Sequence, residues 1–234
     1  MKATLIGIVP RTLFENGTYK VQLNYNYLIP FVERGISTII LPLKDANLMQ
    51  ILDECDGFLI PGGNDIDPIH YNEENTDSLG IDAAVDELDQ KVIKHALKFQ
   101  KPVLGICRGI QSIASFLGGS LHQDIKKANL QNDEVDHTHL VNNLNTHDFC
   151  KNFKDTFVIN SYHHQAVKDI PTDFEVIFKH HDIIEGIHHK TLPILGVQWH
   201  PERLHTSESK IIFDYLCDNA RIYKQNKMLT HQFE

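Results

Sequence analysis

Cysteine is scarce in this chain of 234 residues: there are four, at positions 55, 107, 150 and 217, and none forms a C-x-x-C pair. That spacing excludes a thiolate zinc module and a dense disulfide framework, and it reads as the reduced thiols of a cytoplasmic protein. Long apolar runs are missing too, and nothing approaches the roughly 20 residues that a membrane-spanning helix needs. Residues 1–10 carry one Lys and a short apolar run without a small-residue cleavage site, so they are expected to form a first strand and not a signal peptide. Positive charge is in deficit: 22 Lys and Arg stand against 31 Asp and Glu, a formal net charge of −9. The basic residues are scattered, which argues against a nucleic-acid or anionic-membrane surface. No dinucleotide fingerprint, phosphate loop, internal repeat or low-complexity tract occurs, and no cofactor is implied.

At 41% hydrophobic, a chain of this length can bury a sizeable core. One domain spanning residues 1–234 is expected. The first half alternates strand and helix patterns, with strands near 4–9, 36–41, 57–60 and 102–106. Helices are expected near 21–34, 45–54, 83–99 and 108–117. Such alternation predicts an α/β fold with an open, mostly parallel sheet covered by helices on both faces. The second half adds strands near 138–144, 156–160, 174–179, 183–188 and 193–198, read as an antiparallel extension, and a closing helix begins near Ser207. In that helix Ile211, Phe213 and Leu216 read as core. The polar stretches 72–82 and 126–137 are expected to be surface loops, mobile by composition.

The residue richest in chemistry is Cys107, within Gly105-Ile106-Cys107-Arg108-Gly109. An apolar strand runs into a helical pattern at this point, and small residues two before and two after leave room for a sharp, strained turn. The turn presents the thiol at the positive end of the following helix, where thiolate is favoured over thiol. A base and an orienting acid are needed as well, and Gly196-Val197-Gln198-Trp199-His200-Pro201-Glu202 offers both. In extended backbone, residues two apart share a face, so Glu202 can hold one nitrogen of His200 while the other faces the thiol. The order nucleophile, base, acid differs from that of α/β-hydrolases, which place the acid before the histidine. A third apolar strand ends in Pro61-Gly62-Gly63-Asn64-Asp65. The backbone N–H groups of Gly63 and Arg108 are the expected oxyanion donors.

Taken together, G-I-C-R-G-I-Q at 105–111, P-G-G-N-D at 61–65, N-S-Y-H-H-Q at 160–165 and G-V-Q-W-H-P-E at 196–202 resemble the class I glutamine amidotransferase-type hydrolases. Within them the strings are most similar to the stand-alone gamma-glutamyl hydrolase branch. The resemblance implies a flavodoxin-like sheet, a Cys107–His200–Glu202 triad, and hydrolysis of a small gamma-glutamyl amide through a cysteine thioester. Gamma-glutamyl-gamma-aminobutyrate is the favoured substrate, with a place in polyamine catabolism. The resemblance also puts Gln111 at the alpha-amino and carboxylate end of the substrate, and Ser161, Tyr162 and His163 beside the glutamyl group, where backbone groups hold the alpha-carboxylate. From the residues alone, Gln111 is equally a cap or a solvated side chain, and His163-His164 equally a polar loop. The expected partners are the small-molecule substrate and, at most, a second copy of the chain as a homodimer. Two other classes stay open: a glutaminase subunit that supplies ammonia to a separate synthetase, and a non-catalytic binding protein on the same fold. Histidines at 137, 139, 180, 181, 188 and 189 invite a metal, but neighbours in a strand point to opposite faces, so no metal site is expected.

Overall fold

The computed structural model describes residues 3–130 and 137–230. Its main sheet begins with five parallel strands in the order Ser37–Ile40, Leu5–Ile8, Gly57–Ile60, Val103–Ile106 and Ile194–Val197. Four antiparallel strands continue it: Ile183–His189, Phe174–His180, Thr138–Asn143 and Thr156–Asn160. A short branch joins Ala166–Asp169 to both Ile183–His189 and Ser120–His122. A parallel core with an antiparallel extension was the architecture expected from the patterning.

Side-chain alternation divides the parallel strands between two cores. Leu59, Leu104, Ile106, Leu195 and Val197 pack on one face with Phe31, Trp199, Phe213 and Leu216. Phe58, Ile60, Val103 and Ile194 pack on the other with Leu88, Val92, Ile93, Ile110 and Ile113. Strands buried on both faces read as continuous apolar runs, which is why Gly57–Ile60 is legible in the sequence. The long helix Ala83–Phe99 starts where Asp82 Oδ1 accepts from the N–H groups of Ala84 (3.0 Å) and Val85 (3.3 Å), and it ends at Gln100 in the left-handed region.

The expected helix at 21–34 is replaced by three shorter elements. Arg11–Glu15 and Thr18–Gln22 form a hairpin apart from the main sheet, turning through Asn16 and Gly17, both at positive φ. An Asn-Gly pair is the commonest signature of such a two-residue turn. A 3-10 turn, Tyr25–Tyr27, then leads into the helix Ile29–Glu33, whose start is set by Pro30 in its first turn. The strands Ser120–His122 and Ala166–Asp169 were also not foreseen. Residues 72–82 lie between elements as expected, but they are tied down: Gln123 Oε1 accepts from the N–H groups of Thr76 (2.9 Å) and Asp77 (3.1 Å), and its Nε2 donates to the Glu74 carbonyl (2.9 Å). Of the other polar stretch, residues 131–136 lie outside the described residues.

Candidate active site

Cys107 sits at the junction of the strand Val103–Ile106 and the helix Arg108–Phe116, with φ 54° and ψ −107°. That is strained backbone for a residue with a side chain. The surroundings leave it no alternative. Its N–H donates to the Val197 carbonyl at 2.8 Å, and the flanking glycines lock the helix against the sheet. A Cβ on Gly105 would lie 2.5 Å from the Gly109 carbonyl oxygen, and one on Gly109 would lie 2.1 Å from that of Ile60. Backbone therefore packs directly on backbone, and the thiol is presented at the carboxyl edge of the sheet, where open α/β sheets bind their ligands.

Arg108 opens the helix, so its N–H has no intrahelical partner. Its side chain turns away and is buried, donating to Asp86 Oδ1, to Asp89 Oδ2 and, at 3.2 Å, to Ser112 Oγ. Arg11, from the hairpin, joins the same network through Asp89 Oδ1 at 3.1 Å. It also donates to the carbonyls of Pro61 and, at 2.9 Å, Gly62. The buried Arg108 and the half-buried Arg11, facing two buried aspartates, fix the first helical turn and the diglycine loop relative to each other. Burial pushes the Asp89 carboxyl up, but the charges of Arg11 and Arg108 outweigh it and hold the group below its usual range.

His200 stands at the end of the strand Ile194–Val197. Its backbone is clamped by Asn160, which accepts from the His200 N–H at 2.7 Å and donates to its carbonyl at 2.9 Å. Nδ1 of the ring donates to Glu202 Oε1 at 2.7 Å, and the ring stands beside Cys107: a Cβ on Gly62 would lie 2.8 Å from His200 Cε1 and 3.4 Å from Cys107 Cβ. Burial would lower the affinity of this imidazole for a proton, but its interactions with Cys107 and Glu202 prevail and raise its pKa to about 9. The pairing is as expected, but its geometry is not. Pro201–Arg203 is a 3-10 turn and not extended strand, so Glu202 reaches the ring by curling back beneath it. The Tyr27 hydroxyl lies 3.4 Å from Nδ1 and accepts from the Gly62 N–H at 3.0 Å.

These groups line a cleft of about 380 Å³ that contains Cys107, His200, Gly62, Gly63, Arg108, Tyr27, Tyr162 and Arg203. Of the residues expected at the substrate, Gln111, Ser161 and His163 do not line the cleft with their side chains. Gln111 is buried and donates to the Gln165 carbonyl (3.1 Å) and to Gln198 Oε1 (3.2 Å). Within a buried helix its amide must find protein partners, and these draw it away from the cleft. Ser161 is fully buried, its N–H donated to the His137 carbonyl at 2.8 Å. The His163 ring is turned inward, with Nδ1 at 2.8 Å from the Gln165 carbonyl and Nε2 at 3.9 Å from Glu185. Of that string only Tyr162 reaches the cleft wall. The histidine doublets serve as packing groups: His139 stacks on His180 at 4.0 Å between centroids, and His188 on His147 at 3.8 Å. Among the described residues, no group of three or more His, Cys, Asp or Glu is arranged to hold a metal. No helix among them is long and apolar enough to cross a membrane.

The fold is that of the glutamine amidotransferases. A Thermotoga maritima structure described as a glutamine amidotransferase superposes with a TM-score of 0.63 over 95% of this chain and 99% of that one, at 16% identity, a likeness that speaks to fold alone. The family follows from sequence: the chain belongs to the Peptidase C26 family, whose profile matches residues 4–202. A Lactococcus lactis protein whose name says only glutamine amidotransferase-like is 32% identical over 207 residues, spanning 83% of this chain and 87% of that protein. The gamma-glutamyl-gamma-aminobutyrate hydrolase PuuD of Escherichia coli is 29% identical, with 92% of each chain covered. The chain is thus similar over most of its length to glutamine amidotransferase-like hydrolases.

Proposed function

We propose that the protein hydrolyses a small gamma-glutamyl amide, with gamma-glutamyl-gamma-aminobutyrate the favoured substrate. The observation that carries this reading is the His200 imidazole, hydrogen-bonded to Glu202 and standing beside Cys107 at the wall of an open cleft. The thiol gives its proton to His200, whose neighbours Cys107 and Glu202 favour the protonated ring. Sulfur attacks the gamma-carbonyl carbon, and the carbonyl oxygen takes up negative charge. The N–H groups of Gly63 and Arg108 receive that charge. Gly62 has its N–H engaged by Tyr27, which leaves Gly63 as the donor of the diglycine loop.

As the C–N bond breaks, His200 gives its proton to the departing nitrogen, which leaves as a free amine, and the glutamyl group remains on Cys107 as a thioester. Water then attacks that carbonyl and gives a proton to His200. The S–C bond breaks, and glutamate departs, losing its carboxyl proton to solvent. Glu202 holds the ring in one tautomer through both steps and stabilises it when charged. The likeness to the Escherichia coli enzyme supports the choice of leaving group.

The test is glutamate release from gamma-glutamyl-gamma-aminobutyrate and from glutamine, side by side, on purified protein without a partner. Turnover of the amide that added cell extract does not raise is the expected result. Inertness toward every gamma-glutamyl amide, with glutamine hydrolysis appearing only on addition of extract, would instead mark a glutaminase subunit.

A further inference from the structure

Three arginines line the cleft, and two are spent on structure. Arg11 and Arg108 place their N–H groups on Pro61, Gly62, Asp86 and Asp89. Arg203 differs. Its closest carboxylate approach is Nε to Glu202 Oε1 at 3.4 Å, its side chain is 38% exposed, and its guanidinium lies over the Tyr162 ring, 5.2 Å from the centroid. The two acidic residues lining the cleft are engaged as well: Asp65 with His164 and the Leu79 N–H, and Asp82 with Thr12 and the helix it caps. Arg203 is therefore the lining cation with capacity left for an anion.

Its position shows which part of a substrate it meets. The Arg203 N–H donates to the His200 carbonyl at 3.1 Å, so the side chain is tethered one tight turn from the imidazole. Tyr162 presents its ring edge-on to the same imidazole, 6.0 Å between centroids. The imidazolium has to face the departing nitrogen to protonate it, so groups that flank the imidazole also flank the leaving amine. We infer that Arg203, held on the Tyr162 ring, forms a leaving-group subsite that selects amines bearing a carboxylate. This rests on the hydrolase reading given above. An arginine on an aromatic face presents its planar N–H fork at one orientation, which suits a carboxylate better than a mobile ammonium does.

The experiment compares two substrates with the same glutamyl half: gamma-glutamyl-gamma-aminobutyrate and its neutral counterpart in which the distal carboxylate is a carboxamide. Each is assayed with wild type, Arg203→Met and Arg203→Lys, with thermal unfolding as the check on folding. A hydrogen bond to a charged group corresponds to about 10- to 100-fold in affinity. Arg203→Met should lower the acid-over-neutral ratio of kcat/KM by about that factor, mainly through KM for the acidic substrate, and Arg203→Lys should restore part of it. A parallel fall on both substrates, or no change on either, overturns the subsite. A second readout does not depend on turnover: 4-aminobutyrate should slow iodoacetamide alkylation of Cys107 in wild type and not in Arg203→Met. Absence of that protection also overturns the subsite, whereas failure of the hydrolase reading would appear as wild-type protein inert toward both amides.

Discussion

Replacing Gly109 by alanine would set a Cβ 2.1 Å from the carbonyl oxygen of Ile60, where ordinary contact begins at 3.4 Å. Ile60 lies in a strand hydrogen-bonded to neighbours on both sides, and its side chain is fully buried. The oxygen therefore cannot swing aside, and the helix Arg108–Phe116 must lift by about 1 Å, carrying Cys107 and the Arg108 N–H with it. Overpacking of this kind costs about 1–3 kcal/mol, which for a chain of this size lowers Tm by about 2–12 °C. The catalytic cost should be larger in proportion, because a shift of about 1 Å in a reacting group can reduce turnover about 10²-fold. Circular dichroism melting and kcat/KM on gamma-glutamyl-gamma-aminobutyrate measure the two effects on one preparation. A Gly109→Ala protein with unchanged Tm and near-wild-type kcat/KM would show that the elbow is not held by backbone-to-backbone contact.

The raised proton affinity of His200 makes three further outcomes measurable. Glu202→Gln removes one of the two groups that raise the His200 pKa, so the alkaline limb of the kcat/KM profile should move down from about pH 9 toward the ordinary imidazole value, with a smaller loss of rate than His200→Ala, for which about 10²–10⁴ is expected. A pKa raised on folding stabilises the native state below the unfolded value of about 6.5 and ceases to do so as pH rises through about 9. The stability advantage of wild type over His200→Ala, followed by urea titration, should therefore shrink between pH 6 and pH 10, by at most about 3 kcal/mol; an advantage constant across that range would contradict the raised pKa. Iodoacetamide should label Cys107 first: burial raises the thiols of Cys55 and Cys217 to about 11 and that of Cys150 less far, and Cys107 is the cysteine that lines the cleft. Peptide mapping that finds another cysteine alkylated first would refute the assignment.

The parts of this molecule visible in its sequence are those written in local pattern. Gly57–Ile60 and Val103–Ile106 are apolar on both faces, so a doubly covered sheet follows from the runs themselves. Gly105 and Gly109 announce the elbow because no larger residue fits on either side of Cys107. The hairpin 11–22 carries no buried face, and without one the alternation that marks a strand is lost; only Asn16-Gly17 records it. The supporting groups of the cleft are less visible still. Tyr27 meets His200 across 173 residues and Arg11 meets Gly62 across 51, and nothing local to either position records the contact. Asn160 opens the N-S-Y-H-H-Q string, but its clamp on His200 is a hydrogen-bond pairing that only the fold brings together. Gln111, Ser161 and His163 lie near the cleft in sequence terms, but none lines it: the Gln111 amide donates to the Gln165 carbonyl, the Ser161 side chain is buried, and His163 Nδ1 lies against the Gln165 carbonyl.

In the proposed reaction Cys107 carries the glutamyl group as a thioester. Acid quenching of the protein during turnover of gamma-glutamyl-gamma-aminobutyrate, followed by intact and peptide mass spectrometry, measures that species directly. A glutamyl adduct is expected on the peptide containing Cys107, removed by hydroxylamine and absent in Cys107→Ala, which should be folded and inactive. Turnover without any adduct, together with glutamate release by Cys107→Ala at the wild-type rate, would contradict it.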